Sequence, residues 1–584
     1  MKDNYILGLN IYHGDSSACL MKNGVIVFAI EEERINRIKH WAGFPIESIK
    51  SCLNYENILL ADISFIAVNT NPFSNILQKI RYSLNNLSKI NFYLKKLIIK
   101  KKKLSFRKIL EKEFISNKIP KIKFYDHHLC HLASSHYPSN YDKSLIISAD
   151  GFGDFTSTCA AVGFKNKIEI KHKVLFPHSL GIFYQAFTQL LGFKNYGDEY
   201  KVMGLSAYGK NNYEKKIDKV IKIKKHNFYL NLEYFQHHKK NIDMQWDNQS
   251  PKIDDLYSEN LTNLFNFDFQ KEISQEHMDL AFGVQKKYEE IILHYIKYFK
   301  DLSGSDNLSL SGGCAMNSLA NGRIIEELKF KNVYIPPSPG DAGGAIGAAI
   351  LCFNDSGHAR NQNSYFYANP YLGTECKTEN LKEIIDEKIK NYQGEKDISV
   401  EFINDENILL DRTARSIFEN KIVGWYQERM EWGPRALGNR SIVANPCSKD
   451  MKKIINSKIK RRESFRPFAP SVLRDKAHEW FEDIVDVPYM SIVLKIKKNK
   501  AELIPAVTHI DGSGRLQTVD ENINPIYFKL IKSFEKYSGV PILLNTSFNE
   551  NEPIVNTTEQ AIDCFLRTKM DLLVIGKYVL KRNS

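Results

Sequence analysis

The stretch Ser144-Leu-Ile-Ile-Ser-Ala149, continuing into Asp150-Gly-Phe-Gly-Asp154, decides how the first part of the chain is read. Its apolar run predicts a buried strand, and the segment of aspartates and glycines after it predicts a tight polar turn. Residues 158–162 and 168–174 follow on either side of Lys165-Asn-Lys167 and read as a hairpin. The same order of events stands at the start of the chain. Residues 5–10 read as a strand and His13-Gly-Asp-Ser16 as a turn; residues 18–21 and 25–30 flank Lys22-Asn-Gly24 as a second hairpin. Two copies of strand, turn and hairpin suggest related subdomains that each offer a turn to one ligand, with backbone N–H groups suited to phosphate oxygens. Two unrelated hairpins would give the same spacing, so that alternative stands beside the repeat.

Further along, Asn307-Leu-Ser-Leu-Ser311 is a strand running into Gly312-Gly-Cys-Ala-Met-Asn317, which opens a helix. Residues 333–335 lead to Pro336-Pro-Ser-Pro-Gly-Asp341-Ala-Gly-Gly344, which opens another through residue 353. Glycine at a strand-to-helix turn lets a nucleotide approach the backbone. Residues 354–405 turn polar and irregular, and a linker is expected at 366–405. This divides the chain into residues 1–365 and a second domain at 406–584, which contains Ile422-Val-Gly-Trp-Tyr426 and closes with the apolar strand 572–575.

Composition narrows the class. With 584 residues, 43% apolar and 26% charged, the chain is of multidomain globular type, not disordered or fibrous. The longest apolar candidate for a membrane span, residues 342–353, is too short and carries three glycines. No signal-peptide core precedes the first strand, and nine dispersed cysteines without a CxxC pair argue for reduced thiols in a cytoplasm. The net charge of +13 is local: residues 79–123 hold 15 Lys/Arg against 2 Glu, so the remainder sums to zero. This basic insertion is a solvated helical excursion or a lid meeting an acidic acceptor or anionic surface.

Three groups of residues could carry chemistry. In Asp126-His-His-Leu-Cys-His131, a helix would put His127 and His131 on one face at the spacing two imidazoles need to share a metal. Asp150 and Asp341, in polar turns at strand ends, could complete a set that suits iron, manganese or zinc. Three histidines merely capping a helix is the competing reading, and Cys130 falls off the shared face and reads as core. The second group, Glu199-Tyr-Lys201-Val-Met-Gly204, could hold a nucleotide or end a helix on a glycine cap. The third lies in the C-terminal half. Arg429, Arg435 and Arg440 surround Gly433-Pro-Arg-Ala-Leu-Gly438, and Lys460, Arg462 and Arg466 follow. Arg515 sits in Asp511-Gly-Ser-Gly-Arg515, and Asn545-Thr-Ser547-Phe-Asn549 follows an apolar strand at 541–544. Guanidinium groups fixed among glycine, proline and aromatics suit phosphates or carboxylates.

Taken together, these motifs make the chain resemble an O-carbamoyltransferase of the nodulation-protein and antibiotic-tailoring family. The motifs that carry the likeness run in order over residues 5–570: His13-Gly-Asp-Ser-Ser-Ala18, Glu31-Glu-Glu-Arg34, Asp126–His131, Asp150–Asp154, Gly197-Asp-Glu-Tyr-Lys-Val-Met-Gly-Leu205, Ser311–Asn317, Pro339–Gly344, Gly433–Arg440, Arg462-Glu-Ser-Phe-Arg-Pro-Phe468 and Leu544–Asn549. The resemblance implies an α/β protein. Its N-terminal domain would be actin/hexokinase-like, akin to the threonylcarbamoyl transferase of tRNA modification (the ASKHA class). Its C-terminal domain would resemble the YrdC-like carbamoyl-adenylate synthase.

The implied reaction forms carbamoyl-adenylate from carbamoyl phosphate and ATP in the C-terminal domain. The carbamoyl group then passes to a hydroxyl in the N-terminal domain. Lys460, Arg466, Arg515, Asn545 and Ser547 match positions that hold carbamoyl phosphate, with Lys460 and Arg466 acting in catalysis. Glu199, Lys201, Gly312, Gly313, Asn317, Arg435 and Arg440 match nucleotide-binding positions. His127, His131, Asp150 and Asp341 match an iron site open to other divalent metals, Mg2+ accompanies ATP, and His13 is the candidate base for the acceptor. The implied partners are ATP, carbamoyl phosphate and a sugar, antibiotic or toxin alcohol; nucleic acid is disfavoured and a homodimer is compatible. The rivals are a tRNA threonylcarbamoyl transferase and a non-catalytic actin-fold ATPase.

Overall fold

A computed structural model describes residues 3–84, 106–114, 118–239, 244–245, 248–269, 272–357, 369–377, 379–394, 397–463, 465–483 and 485–583. Most of the basic insertion at 79–123 lies outside these residues. The chain forms two compact units, Met1–Tyr367 and Ala368–Ser584.

The first unit contains two five-stranded sheets of the same plan. In one, β1 (Tyr5–Asn10), β2 (Ser17–Lys22) and β3 (Val25–Glu31) form an antiparallel meander. On its other edge β1 runs parallel to β4 (Ile63–Val68), and β4 parallel to β5 (Lys121–Phe124). β1 is buried along its whole length, as a central strand covered on both faces must be. In the second sheet, β6 (Lys143–Gly153), β7 (Thr156–Phe164) and β8 (Lys167–Leu175) repeat the meander. β9 (Asn307–Ser311) then lies parallel to β6, and β10 (Asn332–Tyr334) parallel to β9. Equal order and equal strand directions make the two hairpins a true structural repeat. Phe106 and Leu110, near the far end of the basic insertion, are buried in the core of the first sheet beside Leu7, Leu9 and Val68.

Two helices set the centre of this unit. α1 (His127–His136) starts on Asp126, whose carboxylate accepts from Leu129 N at 3.0 Å. α5 (Gly344–Asp355) crosses it so closely that a Cβ on Gly347 would stand 1.9 Å from the Cys130 carbonyl oxygen. Between them in the chain lie α2 (Leu180–Leu190), α3 (Glu199–Ser206) and α4 (Ser318–Leu328). α3 runs through Gly204 and ends at Ala207, so the glycine-cap reading of that segment does not hold.

The second unit is built on one mixed nine-stranded sheet. In chain order its strands are β11 (Ile398–Phe402), β12 (Val423–Tyr426), β13 (Arg440–Ala444), β14 (Ala469–Leu473), β15 (Ile492–Lys495), β16 (Ser513–Val519), β17 (Ile542–Ser547), β18 (Leu572–Ile575) and β19 (Tyr578–Arg582). They lie in the order β11-β19-β18-β12-β13-β17-β14-β16-β15. Trp425, Val443, Leu543 and Val574 form its core with Tyr527, Phe528 and Leu530 of the helix Pro525–Ser538.

Of residues 366–405, read from sequence as a linker, the described ones, from 369 on, instead belong to this unit. They contribute β11 and the helix Leu381–Asn391. Backbone bonds also tie Gly373 N to Met430 O (3.0 Å) and Met430 N to Thr374 O (2.8 Å). The polar composition misled because β11 is an edge strand that leaves half its side chains in water. Asn545 and Ser547 lie within β17, not after it. Among the described residues no helix is long and apolar enough to cross a membrane.

Candidate functional site

In the first unit, four side chains from three elements meet. α1 presents His127 and His131 one turn apart with their Nε2 atoms 3.0 Å from each other. Asp150, on the last part of β6, places Oδ2 3.1 Å from His131 Nε2 and 3.9 Å from His127 Nε2. Asp341, in the short turn leading into α5, places Oδ1 3.4 Å from His127 Nε2 and 3.5 Å from His131 Nε2. Burial alone would strip the proton from His127. The Asp150 and Asp341 carboxylates outweigh it and push this imidazole up to about 10, and His131 moves in the same direction. Burial and the charge of Asp150 work to raise Asp341, yet the two histidines bring it down to about 2.

Two carboxylates here face two imidazoles, a donor set that one divalent cation would suit. Each residue offers a ligand atom, and all four atoms lie within 4.8 Å of one another. Oxygen and imidazole donors with no thiolate fit iron, manganese or zinc. Cys130 is fully buried in the core.

The surroundings explain the unusual density of histidine here. His128 is structural: Nδ1 meets Ser148 Oγ at 2.6 Å and Nε2 meets the Thr156 carbonyl at 3.0 Å. Burial, then the two neighbouring histidines, drive it down to about 3. Gly153 lies against the His127 ring, where a Cβ would stand 1.9 Å from Cδ2. Asp154 follows directly on β6. Its Oδ2 accepts from His127 N (3.0 Å) and Asn71 N (2.7 Å), which anchors the first turn of α1.

His13 joins this centre from the first repeat, with Nδ1 3.8 Å from Asp341 Oδ2 and its ring 5.1 Å from that of His127. Its turn is held by Asn10 Nδ2, which donates to the Gly14 and Asp15 carbonyls at 3.0 and 2.9 Å. A second cluster supports it from behind. His40 Nδ1 lies 2.8 Å from Asp15 Oδ1, and Arg34 pairs with Glu31 and Glu33 at 2.9 and 3.0 Å. Burial opposes the charge on His40, but Asp15 and Glu33 raise it to about 9.

The nucleotide candidates divide. Gly313 N donates to Asp150 Oδ2 at 3.2 Å, which places the Gly312-Gly313 turn at the edge of the histidine–aspartate centre. Asn317 caps α4 by accepting from Ala320 N (3.1 Å) and pairs with the Gln285 amide. Burial raises Glu199 to about 7, while Lys201 is held by Asp198 at 2.9 Å. Arg435 and Arg440 lie in the second unit.

In the second unit, Lys460 ends a π-helical turn (Asn456–Lys460) and is buried. Its Nζ donates to Ser547 O (2.6 Å), Asn549 O (2.8 Å) and Asn549 Oδ1 (2.7 Å), and lies 3.3 Å from Ser547 Oγ. Arg466 pairs with Glu463 at 2.6 Å. Asn545 Nδ2 reaches the Ala436 carbonyl (3.2 Å), Ser471 Oγ and Gln517 Oε1 (both 3.0 Å), leaving its buried Oδ1 without a partner. Arg515 Nε donates to Met490 O at 2.8 Å. Burial, then the charge of Arg435, hold Arg515 well below the usual guanidinium range. The charge of Arg435 thus reaches Arg515, and guanidinium groups grouped in this way suit an anion.

Arg440 has a different part from the one expected. It is fully buried, stacked 3.7 Å over the Tyr426 ring, and donates to the carbonyls of Gln427, Asn439, Thr374 and Glu428. It braces the loop and is not placed to grip a nucleotide. Glu431 was missed by the sequence reading. Its Oε1 accepts from Leu437 N, Asn439 N and Arg440 N at 2.8, 2.7 and 3.0 Å and so shapes the Gly433–Gly438 loop. An acid just before a glycine- and proline-bearing loop was the available signal. Arg440→Ala should therefore cost about 3–5 kcal/mol, since it strips four carbonyls of their donor. Denaturation followed by tryptophan fluorescence reads this directly, and a loss below about 1 kcal/mol would refute the bracing role.

Comparisons with known proteins match both halves of the chain. Residues 5–350 match the family model described as carbamoyltransferase N-terminus, and residues 414–582 the one described as carbamoyltransferase C-terminus. An uncharacterized protein of Synechocystis sp. is 35% identical, with 99% of this chain and 97% of that protein covered. Nodulation protein NolNO of Sinorhizobium fredii is 36% identical, covering 98% of this chain and 80% of its own. A solved structure of full-length HypF, in a phosphate- and nucleotide-bound form, aligns at a TM-score of 0.30 and 14% identity over 62% of this chain and 56% of that one, too distant a likeness to assign an activity. With both halves matched in order and relatives alike over nearly their whole length, the chain belongs to the carbamoyltransferase family and is an enzyme of that class.

Proposed function

We propose that this carbamoyltransferase works in two half-reactions, one in each unit. The observation that carries the reading is that each unit holds a polar group of its own: Lys460 and arginines in the second, and a histidine–aspartate cluster in the first. In the second unit, carbamoyl phosphate is cleaved by water to carbamate and phosphate. The carbamate oxygen then attacks the α-phosphorus of ATP, giving carbamoyl-adenylate and pyrophosphate. Carbamate decomposes readily in water, so making and activating it in one enclosed site limits its loss. Arg515 and Arg435 neutralise the phosphate, Arg466 adds a further cation, and Lys460 fixes the Ser547–Asn549 backbone that lines the site.

In the first unit, an acceptor hydroxyl attacks the carbamoyl carbon of the adenylate. The C–O–P linkage breaks on its carbon side and AMP leaves. His13 is positioned to take the hydroxyl proton, and the Gly312-Gly313 turn to receive the phosphate. His127, His131, Asp150 and Asp341 would hold a divalent metal, iron by preference, which supplies Lewis-acid charge beside the adenylate phosphate; Mg2+ accompanies ATP. The duplicated five-stranded plan supports an actin/hexokinase-like identity for the first unit, and a YrdC-like identity is proposed for the second. A sugar or small-molecule alcohol is the proposed acceptor class, and the cytoplasm the proposed compartment.

Incubation with carbamoyl phosphate and α-labelled ATP, without an acceptor, tests this. The expected products are pyrophosphate and a labelled adenylate in equal amounts. Formation of ADP and phosphate instead would exclude adenylate chemistry.

A further inference from the structure

The segment that leads into the basic insertion ends in a helix turned outward. Residues Ile76–Leu84 form about two and a half turns, and none of the nine is buried. Phe73, just before the helix, and Ile76, Leu77, Ile80 and Leu84 within it stand between 44% and 74% exposed. At about 100° per residue the four helical side chains fall within a single arc of about 100°. Tyr82 lies on the opposite side of the helix and turns inward, its ring centroid 5.9 and 5.2 Å from those of Phe155 and Phe176. The root is fixed as well: Asn75 Nδ2 donates to Asp154 O (2.9 Å) and Thr156 Oγ1 (3.2 Å). Packing on one side therefore holds the apolar arc toward water on the other.

An apolar arc left in water costs free energy, and proteins that keep one use it for contact. The charges around it say what fits. Arg81 follows one edge of the arc by about 40° and Lys79 the other by about 60°. Lys79 also reaches the Pro72 carbonyl at 3.4 Å. The helix contains no Asp or Glu. Among the described residues of 79–123, Lys and Arg outnumber Glu eight to two. Two copies of this face would set like charges against one another. A helix about 14 Å long also offers much less than the roughly 800 Å² per partner that a stable dimer buries. A cationic rim around an apolar stripe matches instead a bilayer with anionic headgroups. Aliphatic side chains enter between the headgroups, and the long stems of Lys79 and Arg81 let their charges stay at the phosphate level.

We propose that the helix Ile76–Leu84 docks flat on an anionic lipid surface, inserting Ile76, Leu77, Ile80 and Leu84. Asp154 Oδ2 accepts from both Asn71 N, close to the helix root, and His127 N, so the docked segment is joined directly to the histidine–aspartate cluster. The inference is independent of the transfer chemistry proposed above.

To test it, the full chain is sedimented with vesicles of phosphatidylcholine containing about 30% phosphatidylglycerol and, in parallel, with vesicles of phosphatidylcholine alone. The anionic vesicles should bind at least about tenfold more protein, and added salt at about 0.5 M should lower that binding. Equal binding to both, or none to either, overturns the proposal. Leu77→Glu combined with Ile80→Glu should cut binding to anionic vesicles at least about tenfold, with circular dichroism and melting midpoint unchanged because both side chains are exposed. Binding unchanged in that variant would place the contact elsewhere on this basic chain and refute the role of the helix. Leu77→Trp gives a second readout that does not depend on loss. Its emission, taken as the difference from the unaltered chain, should shift to the blue on anionic vesicles, and an unshifted band in the bound protein overturns insertion. A dimer of the unaltered chain that becomes a monomer in the double variant, read by sedimentation velocity, would show that the face meets a second copy instead.

Discussion

Asp341→Ala is expected to abolish carbamoyl transfer while leaving acceptor-free pyrophosphate formation within about twofold of the unaltered enzyme. The residue touches three partners in the first unit. Oδ1 stands 3.4 and 3.5 Å from the Nε2 atoms of His127 and His131, and Oδ2 lies 3.8 Å from His13. Its removal leaves Asp150 as the one carboxylate facing two imidazoles. It takes away both a hard ligand and the anion that faces the candidate base, and transfer should fall by about 10²–10⁴-fold. Elemental analysis of the purified variant should show metal well below one equivalent. Lys460 and its partners lie in the other compact unit, so the first half-reaction has no reason to suffer. Should pyrophosphate formation fall in step with transfer, the division of labour between the units is wrong.

Lys460→Met gives the opposite pattern. Lysine at this position donates to Ser547 O, Asn549 O and Asn549 Oδ1 from a fully enclosed place. Methionine keeps the bulk of the stem and loses every donor: Asn549 O loses its ammonium partner, while Ser547 O keeps Asn549 N (3.0 Å) and Asn549 Oδ1 keeps Ser547 Oγ (2.7 Å). The expected result is a loss of pyrophosphate formation of about 10³-fold or more, with a stability loss of about 2–4 kcal/mol in the second unit. Metal content in the first unit should stay at the unaltered level. Lys460→Arg should not rescue, because a planar five-donor fork cannot match acceptors that converge on one ammonium. Recovery of more than a tenth of the activity in that variant would show that charge, not placement, is what matters.

The sequence made the metal-type centre legible because its signals are local. An i, i+4 histidine pair declares itself wherever the segment is helical, and glycines mark the neighbourhoods of Asp150 and Asp341, although Asp150 lies within β6 and not in the turn expected there. The repeat was legible as a pattern and ambiguous as a meaning. Only the parallel strands β4 and β9, paired across long crossovers, separate a duplication from two chance hairpins. Arg440 could not be placed from sequence because its partners are carbonyl oxygens, which carry no residue signature. Glu431 was hidden for the same reason, since all three of its donors are backbone N–H groups. The supposed linker failed because composition reports solvent exposure, and an edge strand and a surface helix are exposed while fully part of a fold.

The doubled plan of the first unit has a consequence for the direction of its chemistry. β1 stops at Asn10 while β6 continues through Asp150 to Gly153, so the matching stretch is a turn in one copy and strand in the other. One offers an imidazole, His13, and the other a carboxylate with a pair of histidines close behind it. Under the proposed transfer, a substrate held at this centre would meet a proton acceptor from the first copy and anion-stabilising charge from the second. An unequal repeat of this sort would give the reacting bond a head and a tail, with the acceptor on the side of the first copy and the leaving phosphate on that of the second.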